Sequence, residues 1–142
     1  MIVENTQTQM RKGILEYCIL SIIAKGETYA SDIIAELKKA QLLVVEGTLY
    51  PLLTRLKNNG LLTYNWVEST SGPPRKYYVL ADEGKAVLEQ LDKTWRELEF
   101  AVHIAIGERD LNNKPDAKEG EWASIKNTSV KHIYNIYIEP IR

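Results

Sequence analysis

The 142-residue sequence predicts an α+β fold that is mainly α-helical, and three observations point to it. Before Gly60, apolar residues recur at helical spacing in three successive segments. After Gly60 the apolar residues alternate, as is typical of strands that are half-buried. From Leu88 to Ala105 they then repeat at heptad spacing. The predicted order is therefore three helices, a β-hairpin and a long fourth helix.

The composition excludes several classes of protein. With 44% hydrophobic residues, 26% charged residues and a net charge of −1, the chain is too apolar and too balanced in charge to be disordered. One cysteine, Cys18, cannot form a disulfide framework, and no Cys/His cluster has the spacing of zinc ligands. The longest apolar run, Cys18 to Ala24, is too short to cross a bilayer. We expect a cytoplasmic protein with no secretion signal and no membrane partner.

Catalytic motifs are also missing from the sequence. It contains no phosphate-binding glycine loop, no nucleophile elbow and no HExxH run. His103 and His132 have no partners at ligand or catalytic spacing, and Cys18 lies among apolar residues. We therefore predict no catalytic residue, no metal ligand and no cofactor, and expect that the protein is not an enzyme.

The first two helices are predicted before Ala40. The first runs from about Gln7 to Lys25, because Thr6 and Gln9 have capping-box spacing and Gly26 is placed to end the helix. Its interior is apolar on most faces, which predicts burial on several sides. The second helix runs from about Tyr29 to Lys39.

The third helix is predicted from about Gly47 to Asn59. Four leucines at positions i, i+3, i+4 and i+7 form one apolar face and are assigned to the core. Pro51 is tolerated only near the start of a helix, so the helix should begin shortly before it. The leucines are Leu49, Leu52, Leu53 and Leu56, and the residues predicted to lie opposite them are Gly47, Pro51, Thr54 and Asn58.

The next segment predicts a β-hairpin. Leu62–Val67 and Lys76–Leu80 have strand character, and the Ser/Gly/Pro-rich run 69–74 between them predicts a long tip. Three helices followed by a two-stranded hairpin form the winged helix-turn-helix arrangement. In that arrangement the third helix is the candidate reader of a DNA groove and the hairpin is the wing.

The fourth helix is predicted from about Asp82 to Ile106, with an apolar stripe at unbroken heptad spacing. A helix this long, after a core that is already complete, has nothing in its own chain to cover the stripe. We therefore predict that it pairs with a second copy. The predicted dimer interface contains Leu88, Leu91, Trp95, Leu98 and Val102.

These elements give a predicted division of the chain into a winged helix-turn-helix domain (6–81), a dimerisation helix (82–107) and a C-terminal tail (108–142). The tail begins with a polar linker, and its later apolar residues fit a helix over 130–137 about as well as a strand. Its role stays open.

Charge is distributed unevenly along the chain. Residues 29–80 contain six Lys/Arg against four Asp/Glu, a net charge of +2, whereas residues 82–110 contain four against eight, a net charge of −4. The overall pI of about 6.1 argues weakly against nucleic-acid binding. The local charge balance is the better guide, however, because phosphate contacts need only one basic face.

Two runs carry a family resemblance. Gly47-Thr48-Leu49-Tyr50-Pro51-Leu52-Leu53-x-Arg55-Leu56-x-x-x-Gly60-Leu61-Leu62 and the later Pro74-Arg75-Lys76-Tyr77-Tyr78-x-Leu80-x-x-x-Gly84 resemble the signature of the PadR family of bacterial transcriptional regulators. The resemblance covers about residues 10–106 and implies the short subfamily, which ends in one dimerising helix. Many members have a threonine at the position of Ala81, where it caps the fourth helix; here Asp82 is predicted to cap it.

The candidate DNA-binding residues lie on the third helix and the wing. Glycine and proline at the leading end allow close approach to a groove, and polar side chains behind them reach base edges or phosphates. Two cations next to the wing tip favour phosphate or minor-groove contacts. The alternatives are a solvated helix face and a charged tip that only keeps an edge strand soluble. The candidates are Thr48, Tyr50, Thr54, Arg55, Asn58, Arg75 and Lys76.

Trp95 is a candidate effector site. In PadR relatives that respond to flat aromatic drugs, a tryptophan at the matching place lines a pocket between subunits, so the resemblance implies that two indoles could sandwich a planar ligand. Tyr17 could help to line it; alternatively, Trp95 only packs the dimer. The predicted function is a homodimeric repressor that binds a pseudo-palindromic operator in double-stranded DNA and is relieved by a small aromatic ligand. The alternative is a winged-helix scaffold that binds protein and not DNA.

Overall fold

The computed structural model describes residues 2–107 and confirms the predicted fold class. Four helices and a two-stranded antiparallel sheet occur in the predicted order. The predicted linker and tail lie outside the described residues, and the domain boundaries stay predictions. The elements are α1 (Ile2–Ile23), α2 (Ala30–Lys39), α3 (Glu46–Asn58), β1 (Leu62–Ser69), β2 (Gly72–Leu80) and α4 (Asp82–Ile106).

One apolar core joins α1, α2, α3 and the sheet. The leucine face of α3 supplies three of its fully buried side chains, as the helical spacing predicted. Because the leucines anchor α3 from one side only, its opposite side faces outward. The largest fully buried residues are Ile19, Leu20, Ile23, Ile33, Leu37, Leu49, Leu53 and Leu56.

The predicted start of α1 is wrong. The helix begins at Ile2, and Thr6 lies inside it, where its hydroxyl donates to the carbonyl of Ile2 at 3.1 Å. The capping-box spacing gave a wrong helix start, because the hydroxyl of a threonine inside a helix can donate a hydrogen bond to the carbonyl four residues earlier. The prediction for α3 was closer, although Pro51 lies in its second turn. The carbonyl that loses its partner there belongs to the exposed Gly47, where water can reach it.

The connection from α2 to α3 is closed by hydrogen bonds. After the end of α2, Gln41 has a φ of 62°, and the amide of Leu42 donates to the carbonyl of Leu37 at 2.8 Å. This is a Schellman-type helix end with glutamine in the left-handed position that glycine usually takes. The turn thereby fixes the direction in which the chain enters α3.

The hairpin is longer and its tip shorter than predicted. β1 and β2 pair from Leu62 opposite Leu80 to Ser69 opposite Gly72, with an irregularity after Val67. The prolines of the predicted tip belong to β2, and Thr28 pairs with Tyr78 in an isolated bridge. That bridge ties the segment before α2 to the sheet.

The fourth helix has the predicted bounds, Asp82–Ile106. Asp82 is its first helical residue and not the residue before it, so the predicted cap is wrong. The helix crosses from a compact unit that ends at Leu91 into a second unit that begins at Asp92. Within residues 2–107, no helix is both long and apolar enough to span a membrane.

Candidate nucleic-acid interface

The outward side of α3 is polar and exposed. Its leucines Leu49, Leu53 and Leu56 are buried, whereas the predicted DNA-contacting residues all lie at the surface. Tyr50 is 47% exposed. The exposed candidates are Thr48, Tyr50, Thr54, Arg55 and Asn58.

Arg55 has a partner that the sequence did not reveal. Its guanidinium forms an ion pair with the carboxylate of Glu16 on α1, and its side chain is 60% exposed. The pair joins α1 to α3 and holds the guanidinium toward α1. A DNA contact by Arg55 stays a prediction, and in the free protein this side chain helps to position α3.

The two wing cations lie against aromatic rings. The Arg75 guanidinium carbon is 5.3 Å from the ring centre of Tyr29, and the Lys76 ammonium is 4.6 Å from that of Tyr64 and 5.1 Å from that of Trp66. These distances are within the range of cation–π attraction. Arg75 and Lys76 are therefore held along β2, in the paired part of the hairpin, and do not lie at a flexible tip.

An open groove of about 480 Å³ connects these elements. It brings the N-terminus of α2, the middle of α3 and the wing cations to one side of the first unit. Sequence reasoning missed Tyr29 and Trp66, because the contacts that place them here come from distant segments. The groove is lined by Tyr29, Ala30, Ser31, Tyr50, Trp66, Pro74, Arg75, Lys76 and Tyr78.

Tyr29, which lines the groove, packs against Tyr77. The ring centres of Tyr29 and Tyr77 are 3.6 Å apart. The hydrogen bond that the Tyr77 hydroxyl donates to the Tyr29 oxygen, followed by desolvation, raises the pKa of Tyr77 to about 12. Burial raises the pKa of Tyr78 as well. Tyr77 and Tyr78 therefore stay neutral throughout the physiological pH range.

We expect Tyr29→Phe to lower the pKa of Tyr77 from about 12 toward its ordinary value of 10, because the variant removes the hydrogen bond to the neutral phenol. The hydrogen bond between Tyr77 and Tyr29 contributes its full stabilisation of the fold at pH values below 10, the ordinary pKa of tyrosine. This contribution is lost as the pH rises through about 12, the pKa of Tyr77 in the folded protein. An alkaline titration of the Tyr77 ring signals by nuclear magnetic resonance measures the change. Tyr50→Phe is the control, and an equal shift in both variants would contradict the assignment.

Comparison with known proteins identifies the family. The model of the "Transcriptional regulator PadR-like family" matches residues 19–90, which include α2, α3, the wing and the start of α4. The chain belongs to the PadR-like family. An uncharacterized protein of Lysinibacillus sphaericus is 30% identical over 96 residues, which are 66% of this chain and 88% of the relative.

Solved structures of PadR-like regulators have the same fold. A PadR-like transcription factor from Bacteroides fragilis is 59% identical, with a TM-score of 0.61 over 71% of this chain and 98% of that chain. A PadR family regulator from Eggerthella lenta is 31% identical, with a TM-score of 0.68 over 76% and 95%. A third, from Bacillus cereus, is 36% identical, with a TM-score of 0.65 over 71% and 99%.

In this PadR-like chain the predicted dimer stripe divides into two parts. Leu88 and Leu91 are half-buried against the core of the first unit. Farther along α4, Trp95 is 37%, Leu98 50% and Val102 52% exposed. The three exposed residues share one helix face, so they form an apolar surface that a second molecule could cover. Tyr17, the other candidate effector residue, is half-buried on α1.

Neither a metal nor a reactive thiol is indicated in the part of the chain that the structure describes. Residues 2–107 contain no group of three or more His, Cys, Asp or Glu side chains that could hold a metal ion. Burial raises the pKa of the Cys18 thiol, which disfavours the nucleophilic thiolate. Members of the PadR-like family are transcriptional regulators, and the groove beside α3 is the candidate site for that function.

Proposed function

We propose that this PadR-like protein is a homodimeric repressor that places α3 of each subunit in a major groove of a pseudo-palindromic operator. The observation that carries the proposal is the groove, which joins Tyr50 of α3 to the wing cations Arg75 and Lys76. A helix that enters the major groove needs flanking groups to hold the phosphate backbone, and these residues supply them on the same side of the first unit.

The chemistry of the groove favours phosphate. Arg75 and Lys76 contribute positive charge, and the hydroxyls of Ser31 and Tyr50 are donors of neutral hydrogen bonds. The first residues of α2 also line the groove, and the partial positive charge at a helix N-terminus attracts a phosphate oxygen. Cation–π contacts hold the two basic side chains in place before DNA arrives, which reduces the entropy lost on binding.

Gly47 supports close approach of the α3 backbone to DNA. The fold does not require a glycine there, because a Cβ atom added at this position would meet nothing within 4 Å. Glycine inside a helix costs about 1 kcal/mol relative to alanine. A glycine that the fold does not need, on the exposed side of α3, is explained if the groove of DNA lies against it.

The test is a titration of the promoter DNA of the protein's own gene, followed by fluorescence anisotropy at two salt concentrations with nonspecific competitor present. We expect specific binding whose affinity falls steeply with salt, since each phosphate contact releases counterions. An absence of binding, or an affinity that does not change with salt, would favour the alternative function as a protein-binding scaffold.

In the same titration we expect Gly47→Ala to weaken specific DNA binding about tenfold while leaving the fold intact, because the added methyl group would hold the α3 backbone away from the groove and the loss of one good base contact costs about 1–3 kcal/mol. Gly13→Ala is the matched control. It makes the same change at an unobstructed helical position of α1. Equal affinity for both variants would show that the α3 backbone does not approach DNA closely.

Two further parts of the proposal concern regulation. We place an aromatic effector near Trp95, with Tyr17 as a second candidate, where it would favour a dimer with wrongly spaced reading helices. Such a ligand acts only through its different affinities for the two arrangements. The exposed indole of Trp95 supports the proposal, since planar ligands stack on such rings. Binding to operator DNA also implies action in the cytoplasm.

A further inference from the structure

The two cations of α3, Arg55 and Lys57, lie in its last turn, far from its leading end. Arg55 forms the ion pair with Glu16, and the Lys57 ammonium lies 5.5 Å from the ring centre of Tyr64. Arginine and lysine are the side chains that most often read guanine in the major groove. The leading end of α3 must therefore read bases by other chemistry.

The turn before α3 presents apolar side chains in a fixed direction. Leu42 and Val44 are half-buried against the core, whereas Leu43 is 75% and Val45 is 71% exposed. The segment therefore alternates between inward and outward residues, as an extended chain does. The hydrogen bond from the Leu42 amide to the Leu37 carbonyl anchors this alternation. In the major groove, the apolar feature is the C5-methyl group of thymine.

Glu46 is the first residue of α3 and the acidic residue of its first turn. The preceding Val45 provides no side-chain cap, so the carboxylate is the group that complements the helix dipole in the free protein. A carboxylate only accepts hydrogen bonds, and it repels phosphate. On DNA its favourable partner is an exocyclic amine, and cytosine N4 is the one that acidic side chains recognise.

We propose that Glu46 is a specificity-determining residue that accepts a hydrogen bond from the N4 amine of cytosine, while Val45 contacts the C5-methyl group of a neighbouring thymine. The inference rests on the proposed function, because it assumes that α3 enters the major groove. It assigns base selection in each half-site to the leading end of α3. The same residues exclude guanine at the cytosine position, because guanine presents only acceptors there.

The experiment selects binding sites from a randomised DNA pool, with the full-length wild type and Glu46→Gln in parallel. The wild type is expected to enrich cytosine at one position of each half-site. Glu46→Gln is expected to enrich adenine there, because a carboxamide pairs with the N6 and N7 atoms of adenine. On purified single sites, Glu46→Gln should change the ratio of the affinity for the cytosine site to the affinity for the adenine site about tenfold.

Glu83→Gln is the matched control. Glu83 is an exposed acid in the first turn of α4, so the variant makes the same change of charge at another helix start. It should select the wild-type sequence. A Glu46→Gln variant that still selects cytosine, or a wild type that selects no cytosine, overturns the inference while specific binding leaves the proposed function intact. No specific binding by any of the three proteins overturns the proposed function itself.

A second measurement tests the thymine contact without changing the protein. Replacing the neighbouring thymine of the selected site with uracil removes only the C5-methyl group. We expect the wild type to lose affinity severalfold and Val45→Ala to lose none, since its contact is already absent. An equal loss for both proteins would remove Val45 from the proposal and leave the cytosine contact to be decided by the selection.

Discussion

If α4 forms the proposed homodimer, replacing Leu98 with glutamate is expected to give a monomer and to weaken binding to a two-half-site operator about a hundredfold. Leu98 lies between Trp95 and Val102 on the exposed apolar face of α4. In a two-fold symmetric interface each subunit would bury a new charge near its counterpart, and an unpaired buried charge costs several kcal/mol. Without the dimer, the second half-site loses its high effective concentration, which is worth 10²–10⁴ in affinity.

Sedimentation velocity and operator titration measure the two effects of Leu98→Glu together. Ile104→Glu is the matched control, because it introduces the same charge at an exposed apolar residue on the other side of α4. That variant should stay dimeric and bind the operator as the wild type does. If Leu98→Glu remains a dimer, the association surface lies elsewhere and the predicted stripe is wrong.

The periodic features of this fold could be predicted, because a periodic pattern is contained in the segment that forms the element. The predicted bounds of α4 were correct, and the leucine spacing predicted the buried side of α3. The two predicted N-terminal caps, Thr6 and Asp82, each relied on a single polar residue and were wrong. A hydroxyl or carboxylate near a helix end has several backbone groups within reach, so its position fixes the end less firmly than a repeated apolar pattern does.

The wing tip shows how context outweighs local preference. Ser, Gly and Pro predicted a long loop, but β2 has only β1 beside it near the tip, so Pro73 and Pro74 stand where a missing amide donor is tolerated. The strands continue until Thr70 and Ser71 form the turn. The composition of residues 69–74 correctly predicted a turn, but the pairing of β1 with β2 determined how short that turn is.

The candidate site depends on contacts between distant segments, which a single sequence does not reveal. Glu16 meets Arg55 across two helices, and Tyr29 meets both Arg75 and Tyr77 across the sheet. The sequence predicted correctly that Arg55 lies on α3 and that Arg75 and Lys76 lie on the wing, because the residues of a segment largely determine whether it forms a helix or a strand. It could not show that one guanidinium is held by α1 or that aromatic rings orient the wing cations.

A close contact between the start of α4 and the chain after α3 explains why Gly84 has no side chain. A Cβ atom at Gly84 would press into the carbonyl group of Leu61, well inside van der Waals distance. That carbonyl also accepts a hydrogen bond from the amide of Ala81 at 3.0 Å, so it has little freedom to move. The glycine therefore sets how closely the start of α4 approaches Leu61, just before β1.

We expect Gly84→Ala to lower the free energy of unfolding by about 2 to 3 kcal/mol, because overpacking against backbone outweighs the gain of about 1 kcal/mol in helix propensity. Gly13→Ala, with open space around its Cβ, should instead raise it by up to about 1 kcal/mol. Urea denaturation followed by circular dichroism measures both variants at the same protein concentration, since a dimer's stability depends on it. Both variants replace a helical glycine with alanine, so helix propensity changes in the same direction in each. Changes of opposite sign in the free energy of unfolding would therefore be due to the steric contact at Gly84. If Gly84→Ala were as stabilising as Gly13→Ala, the close approach of α4 to Leu61 would be absent in solution.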